Sequence, residues 1–475
     1  MSKLKIIIKK EIFTATRNLQ VQLTAGIICI LLLVAGAGGY LNYKTQKEQL
    51  AYAKEQKRQQ WLNQGDKHPH IAAHYGTFVF KPKTGLSFFD FGLDAYTGSS
   101  IYLEAHYQHE FMFRPAQDYG AMIRFGELSI ALVLQILIPL LIIFLCFSSF
   151  TQERENGTLK IILSQGISFK TLAWGKITAY SMLIFAILIP AILMLMVGIF
   201  TRPEMMFTED IFWRISFLLI SYSLYFFIFI GLSVWVSSYS NVSGNALLTL
   251  LAVWILFTII IPKTTANTAG NLFPLPSINS YHQKIKQDID SRIERNTLKD
   301  TLIVNFTSRL LKQYRVDSVA QLPINYEAAC AQVYEDFSNS IHDKHSKSLF
   351  NQFVKQNEVS TYASSFNPYL SIRNLSMSLS ATDFYTYADF QNAAEQYRRD
   401  LVRKMNFDYR DHSKTGEFYE YKADGKLWQS VKDFSYEIPG VKNAIANYRF
   451  EFLTLVFWAI MISVLVTFWV NKSAI

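Results

Sequence analysis

Apolar residues gather in six long runs, at residues 21–40, 128–150, 177–200, 211–236, 245–262 and 450–470. Each approaches or exceeds the ~20 residues of helix that cross a bilayer. Each is dominated by Leu, Ile, Val and Phe. Pro139 and Pro190 fall inside runs and predict kinks there. Arg214 lies near one end of the fourth run, from which an Arg side chain reaches the interface.

Between the runs the pattern changes. Residues 1–20 read as an amphipathic helix. The stretch 43–64 is rich in Lys, Gln and Glu and continues the first helix beyond the membrane. Short apolar pieces then follow: Phe78-Val79-Phe80, Phe88-Phe89 and Ser100-Ile101-Tyr102-Leu103. Asp66, Pro69, Gly76, Pro82, Gly85 and Gly92 punctuate them, which predicts short strands and turns. The long segment 263–449 has helical spacing instead, with Ile285, Ile289, Ile293, Leu298, Leu302, Phe306 and Leu310 on one stripe. Residues 326–359 and 389–405 repeat that pattern, Thr382 or Asp383 supplies a helix cap, and 407–439 is less regular.

The fold class that follows is a mainly α membrane protein. It has six transmembrane helices, a mixed α/β first extracytoplasmic segment and a larger, mainly helical second one. The expected divisions are 1–20 (amphipathic helix), 21–40 (first span), 41–127 (first outer segment), 128–150 (second span), 151–176 (cytoplasmic loop), 177–262 (third to fifth spans), 263–449 (second outer segment) and 450–475 (sixth span and tail). The first run has a rival reading. Lys9 and Lys10 precede an apolar stretch ending Ala35-Gly36-Ala37, the form of a signal-peptidase site, although the stretch is long for one.

Composition fits the membrane reading. Half of the 475 residues are hydrophobic and 17% are charged, below the roughly 25% of soluble chains. The net charge of +9 is not gathered into a block, so nucleic acid is not an expected partner. Three cysteines, Cys29, Cys146 and Cys330, give no disulfide framework. Basic residues set the orientation. Lys3, Lys5, Lys9, Lys10 and Arg17 precede the first run, and Arg154, Lys160, Lys170 and Lys176 lie between the second and third. Both segments and both termini are therefore expected in the cytoplasm, and 41–127 and 263–449 outside.

Five histidines crowd the first outer segment: His68, His70, His74, His106 and His109, with Glu104 and Glu110 beside the last two. Imidazoles at such spacing suit zinc or copper. His106 and His109 would share a face if helical. The alternative is a set of hydrogen-bonded histidines in an aromatic-rich unit. The chain has no GxxxxGK[ST], GxSxG or GxGxxG sequence. Cys330 reads as a packed thiol, and Asp383 and Asp389 as caps or solvated charges. Polar residues within spans, Gln135, Ser221, Ser223 and Asn245, face either a path or another helix.

The segment after the second run carries most information. Glu153-Arg154-Glu155-Asn156-Gly157-Thr158-Leu159-Lys160 leads into Leu163-Ser164 and Gly166. Gly157 permits a turn, Thr158 is a candidate cap, and Leu159, Ile162 and Leu163 fall on one face. That face suits either a docked partner or the membrane surface.

With Gly175-Lys176 downstream and Lys9-Lys10-Glu11…Arg17 before the first span, this motif resembles the signature of ABC-2 type transporter permeases. His68-Pro69-His70-Ile71-Ala72-Ala73-His74-Tyr75-Gly76, Gly92-Leu93-Asp94-Ala95-Tyr96-Thr97-Gly98 and Pro368-Tyr369-Leu370-Ser371-Ile372-Arg373-Asn374-Leu375-Ser376-Met377 resemble a subgroup of them with a large extracytoplasmic domain. The resemblance implies the membrane subunit of an exporter in a bacterial cytoplasmic membrane. ATP-Mg would bind P-loop ATPase subunits on separate chains, with no cofactor in this chain and no catalysis by it. It also implies a second permease subunit, identical or related. Membrane lipid and an envelope protein are further expected partners. It places ATPase coupling on Glu153, Arg154, Glu155, Gly157, Thr158 and Leu159. Two other classes stand beside it: a membrane-anchored metalloenzyme built on the histidines, and a membrane receptor or scaffold.

Overall fold

The computed structural model describes residues 3–98, 100–112, 128–200, 208–294 and 297–468. The chain opens with α1 (Lys3–Arg17), α2 (Leu19–Leu62), α3 (Pro69–Tyr75), β1 (Thr77–Phe80), α4 (Asp94–Thr97), β2 (Ser100–Glu104) and β3 (Tyr107–Met112). Next come α5 (Ile130–Glu155), α6 (Thr158–Ser164), α7 (Phe169–Phe200), α8 (Glu209–Tyr239) and α9 (Ser243–Leu272). The remainder is α10 (Ile278–Glu294), α11 (Thr297–Tyr314), α12 (Tyr326–Ser364), α13 (Pro368–Leu379), α14 (Phe384–His412), α15 (Gly425–Ser430), α16 (Val441–Asn447) and α17 (Arg449–Phe468). Six of these, α2, α5, α7, α8, α9 and α17, are long and apolar enough to cross a membrane. The protein is thus a mainly α membrane protein, with a small sheet among the described residues. α1 and the α5–α7 connection share one face of the bundle, here the N-terminal face. The segments between α2 and α5 and between α9 and α17 share the opposite face.

Two spans are opened by prolines. α5 widens to a π-turn over Val133–Leu137, just before Pro139. Proline has no N–H to give the carbonyl four residues back and crowds it. That carbonyl, on Gln135, accepts instead from the Tyr225 hydroxyl of α8 at 2.8 Å. α9 repeats the device: Leu256–Ile260 is a π-turn before Pro262, and the Phe257 carbonyl accepts from Asn367 Nδ2 at 2.8 Å. Pro190, by contrast, lies in α7 with no break in the helix. Each widened turn exposes a backbone acceptor in apolar surroundings, and each acceptor is taken by a neighbouring segment.

The described residues of the opposite face form one unit from both connecting segments, α2–α5 and α9–α17. β1, β2 and β3 form an antiparallel sheet in that order, with Val79 opposite Ile101 and Ile101 opposite Phe111. The sheet packs Val79, Ile101 and Leu103 against Phe390 and Ala394 of α14. Phe88 and Phe89, expected in a strand, sit in turns instead. Phe88 lies edge-on to Tyr40 of α2 at 6.1 Å, and Phe89 to Tyr222 of α8 at 5.8 Å. Gly39 makes room, since a Cβ there would stand 2.8 Å from the Phe88 carbonyl oxygen. His106 and His109 do not share a helix. His106 occupies the turn between β2 and β3 with φ at 69°, and His109 lies on β3.

α13 departs from the expected bundle separate from the spans. Tyr369, Ile372, Leu375 and Leu379 belong to the same apolar core as the spans. Its small buried Ser371, Ser376 and Ser378 let it lie close to α8 and α17. Arg214, expected at the interface, is buried instead and donates to the Ser378 and Leu379 carbonyls at 3.3 and 3.1 Å. Asp383 caps α14, accepting from the Tyr385 N–H at 3.1 Å, as its position suggested.

Trp428 pins this unit to the extension of α2. It is fully buried, edge-on to Trp61 at 5.8 Å, and its indole N–H donates to the Gly65 carbonyl at 2.9 Å. Trp428→Ala should therefore cost about 3–5 kcal/mol through the cavity and the lost contacts. A clear fall in unfolding temperature in detergent is expected, and an unchanged temperature would show that the two segments are not coupled there.

Candidate functional site

Two glycines bracket α6. Gly157 has φ at 72° and Gly166 at 74°, values L side chains rarely adopt. Gly157 turns the chain into α6, and Gly166 releases it toward α7. Thr158 does not cap α6; its hydroxyl turns back to the Glu153 carbonyl at 3.2 Å. Ser168 caps α7 instead, accepting from the Thr171 N–H at 3.1 Å. Leu159 is buried, with Ile162 and Leu163 packed against the same core. The apolar face of α6 is therefore spent on the protein itself. Lys160, Ile161 and Ser164 face outward, with Ile161 58% exposed.

The three charges before the turn reach three different places. Glu153 points inward, is buried, and meets Lys10 at 2.7 Å and Lys176 at 3.0 Å. Arg154 donates to the Ser238 carbonyl at 2.8 Å and also to that of Ser240, at the end of α8. Glu155 accepts from the Ser243 N–H at 2.7 Å and from its hydroxyl at 3.0 Å, at the start of α9. A carboxylate at a helix N-terminus and an arginine at a C-terminus are the favourable signs for the helix dipole. One tripeptide thus fixes the loop to α1, α7, α8 and α9.

Glu153 belongs to a four-charge node of which three members are buried. Lys176 Nζ, on the first turns of α7, lies 2.7 Å from Glu11 Oε1 as well. Lys10 lies 2.8 Å from Glu11, and Tyr180 donates to Glu11 Oε2 at 3.1 Å. Side-chain exposure is 1% for Lys176, 6% for Glu11 and 49% for Lys10. Two carboxylates and two ammonium groups balance. Burial works to raise the Glu11 pKa, but Lys176 and Lys10 outweigh it and hold the carboxyl below its ordinary range. The node brings α1 against α7, where a Cβ on Gly175 would stand 2.7 Å from Ile7 Cγ2. Lys3 completes the seam by donating to the Gly166 carbonyl at 2.8 Å.

The sequence gives Glu11, Lys10, Lys176 and Arg214 no site role, although the first three lie in segments that carry the family resemblance. The available signal was an acid within a basic amphipathic helix and a lysine abutting an apolar run. Gln135 is buried and donates to the Tyr222 hydroxyl at 3.0 Å, a helix–helix link. Ser221 is buried, Ser223 is partly exposed on α8, and Asn245 is exposed at the start of α9.

On the opposite face the structure gathers His70, His74 and His106, whose ligand nitrogens all lie within 4.8 Å of one another. His68 does not join them. It caps α3 through Nδ1 and is buried against Tyr409 and Phe418. Burial first, and His70 beside it, lower its pKa to about 4. The side chain of His109 lies outside the described residues.

Two family models match the chain. Residues 113–289 match the ABC-2 family transporter protein model, which includes α5 to α9, the α6 turn and most of α10. Residues 288–437 match a domain of unknown function (DUF3526), which spans α11 to α15. No curated protein matches the chain. The resemblance to ABC-2 type permeases carried by the Glu153–Lys160 motif is borne out, and the match supports an ABC-type permease, a transport subunit in a multi-pass membrane chain.

The charge balance of the node makes a specific prediction. Lys176→Met leaves two buried carboxylates facing one half-exposed lysine and should cost about 3–5 kcal/mol. Adding Glu11→Gln restores the balance, so the double variant should unfold at a higher temperature than Lys176→Met alone. A double variant less stable than the single one would show that the charges are not coupled.

Proposed function

We propose that this chain is the permease subunit of an ATP-driven exporter in a bacterial cytoplasmic membrane. Its ATPase is a separate P-loop chain that docks on α6, and a second permease subunit, identical or related, completes the transport path. Both termini and the α5–α7 connection face the cytoplasm, as the lysines and arginines of 1–20 and 151–176 favour. The α2–α5 and α9–α17 segments face outward, where membrane lipid and an envelope protein are the candidate contacts.

The observation that carries this reading is the division of labour in the α5–α6 turn. Glu153, Arg154 and Glu155 hold α1, α7, α8 and α9, while Lys160, Ile161 and Ser164 stand outward. A partner pressing on the exposed side of α6 meets a short helix backed by Leu159 and clamped through the tripeptide to four others. A push there moves helices rather than a loop. Gly157 and Thr158 shape this lever and Glu153 anchors it from within; Lys160 and Ile161 are its contact surface. ATP-Mg acts in the partner chain, and this chain carries out no bond-making step.

Ile161→Asp tests the contact without touching the clamp. The variant should keep the wild-type unfolding temperature in detergent and lose at least about tenfold of the co-purifying ATPase chain, since an exposed apolar anchor is where truncation or charge costs most. A P-loop chain that stays bound, with hydrolysis and transport still coupled, would overturn the docking assignment. A wild-type complex with no nucleotide-binding chain would overturn the function.

A further inference from the structure

Two of the three converging imidazoles, His70 and His106, have their proton positions fixed from behind. Gln332 Nε2 donates to Asp336 Oδ1 at 2.9 Å, so its Oε1 accepts from Asn406 Nδ2 at 3.0 Å. Asn406 therefore turns Oδ1 toward His70 Nδ1, at 3.1 Å. A carbonyl oxygen only accepts, so His70 carries its proton on Nδ1 and, when neutral, presents a lone pair at Nε2. His106 is set the same way: its Nδ1 lies 2.6 Å from Glu335 Oε2, and Arg398 holds the other oxygen of that carboxylate at 2.8 Å. Consecutive acids on α12, Glu335 and Asp336, thus fix two rings so that both offer Nε2 as an acceptor. His74 Nε2 lies 3.2 Å from His70 Nε2. Carboxylate–histidine pairs of this form orient metal-binding imidazoles.

We propose that His70, His74 and His106 bind one Zn²⁺ with water in the fourth position. Zn–N bonds of about 2.0–2.1 Å put two ligands of a tetrahedral site about 3.3 Å apart. The His70–His74 separation of 3.2 Å already has that value. With all three nitrogens within 4.8 Å, the set closes by a movement of no more than about 1.5 Å. His70 and His74 are one turn apart on α3, and His106 is on the β2–β3 turn. Their supporting residues, Asn406 and Glu335, come from α14 and α12. The ion therefore ties α3 to the sheet and, through the second layer, braces the first outer segment against the second. This site stands apart from α6 and does not depend on the ATPase reading.

The test uses the full chain in detergent, stripped with chelator and then titrated with Zn²⁺ alone. One Zn²⁺ per chain by elemental analysis is expected, with a rise in unfolding temperature on adding it. His74→Ala removes an exposed ligand and should keep the metal-free unfolding temperature while lowering affinity at least about tenfold. His106→Asn suits the left-handed backbone at that turn and is a second, independent removal. No bound Zn²⁺ on the wild-type chain, or equal affinity in both variants, would overturn the proposal.

Discussion

Lys176 stands at the start of a membrane helix with almost no contact with water, and its charge is tolerable only because Glu11 and Glu153 reach it from two other helices. A buried ammonium without partners would cost several kcal/mol. The converse also holds, since the two carboxylates would repel without Lys176 and Lys10 between them. This reciprocal requirement fixes where α1 lies against α7 and how α5 ends. Once α5 ends at Glu155, Arg154 and Glu155 fall within reach of the end of α8 and the start of α9. The arrangement of the N-terminal face follows from one balanced set of four charges.

The opposite side of the bundle adds a chain of side-chain hydrogen bonds that ends on a carboxyl group. Gln135 donates to the Tyr222 hydroxyl, Tyr222 to Ser376 at 3.0 Å, and Ser376 to the buried Asp90. Spans and outer segments are thus joined by one polar chain through an apolar core, where an unpaired group would be costly. Pro139 and Pro262 act in the same economy. Each is followed back to a carbonyl that the helix cannot satisfy, and each such carbonyl or its neighbour recruits a donor from elsewhere. The prolines convert helix defects into tertiary contacts.

These devices differ in how far the sequence discloses them. The spans are legible because a run of Leu, Ile, Val and Phe has few alternatives, and β1 and β2 because turn residues bracket them. The node is not: Lys176 is 165 residues from Glu11, and nothing local marks either as a partner. Its lysine instead reads as an ordinary interfacial charge. α13 is hidden for another reason. Its serines and asparagine read as groups that face water, whereas in the fold their small size and hydrogen-bonding groups are what let the helix enter the core. For the histidines, composition is informative and geometry is not. Short spacing suggested a helical pair at 106 and 109, but the chain reverses at His106, and that reversal is what sets it beside His70 and His74.

α8 is where the two faces meet. At one end Arg154 grips its last carbonyls; midway, Tyr222 and Tyr225 hold α13 and α5; near the other end Arg214 grips the end of α13, the Pro439 carbonyl and Asp210. Helices resist bending and stretching far more than loops do, because displacement along the axis must break the backbone bonds in series. On the transport reading, a shift imposed at Arg154 would pass along α8 to the polar contacts of α13. On that reading the unit that carries α13 would move with the permease, since α13 is seated between α8 and α17. The same reading also explains why α13 is joined to the spans by hydrogen bonds and an arginine rather than by apolar contact alone: directional bonds hold register under load, and a greasy face would slide.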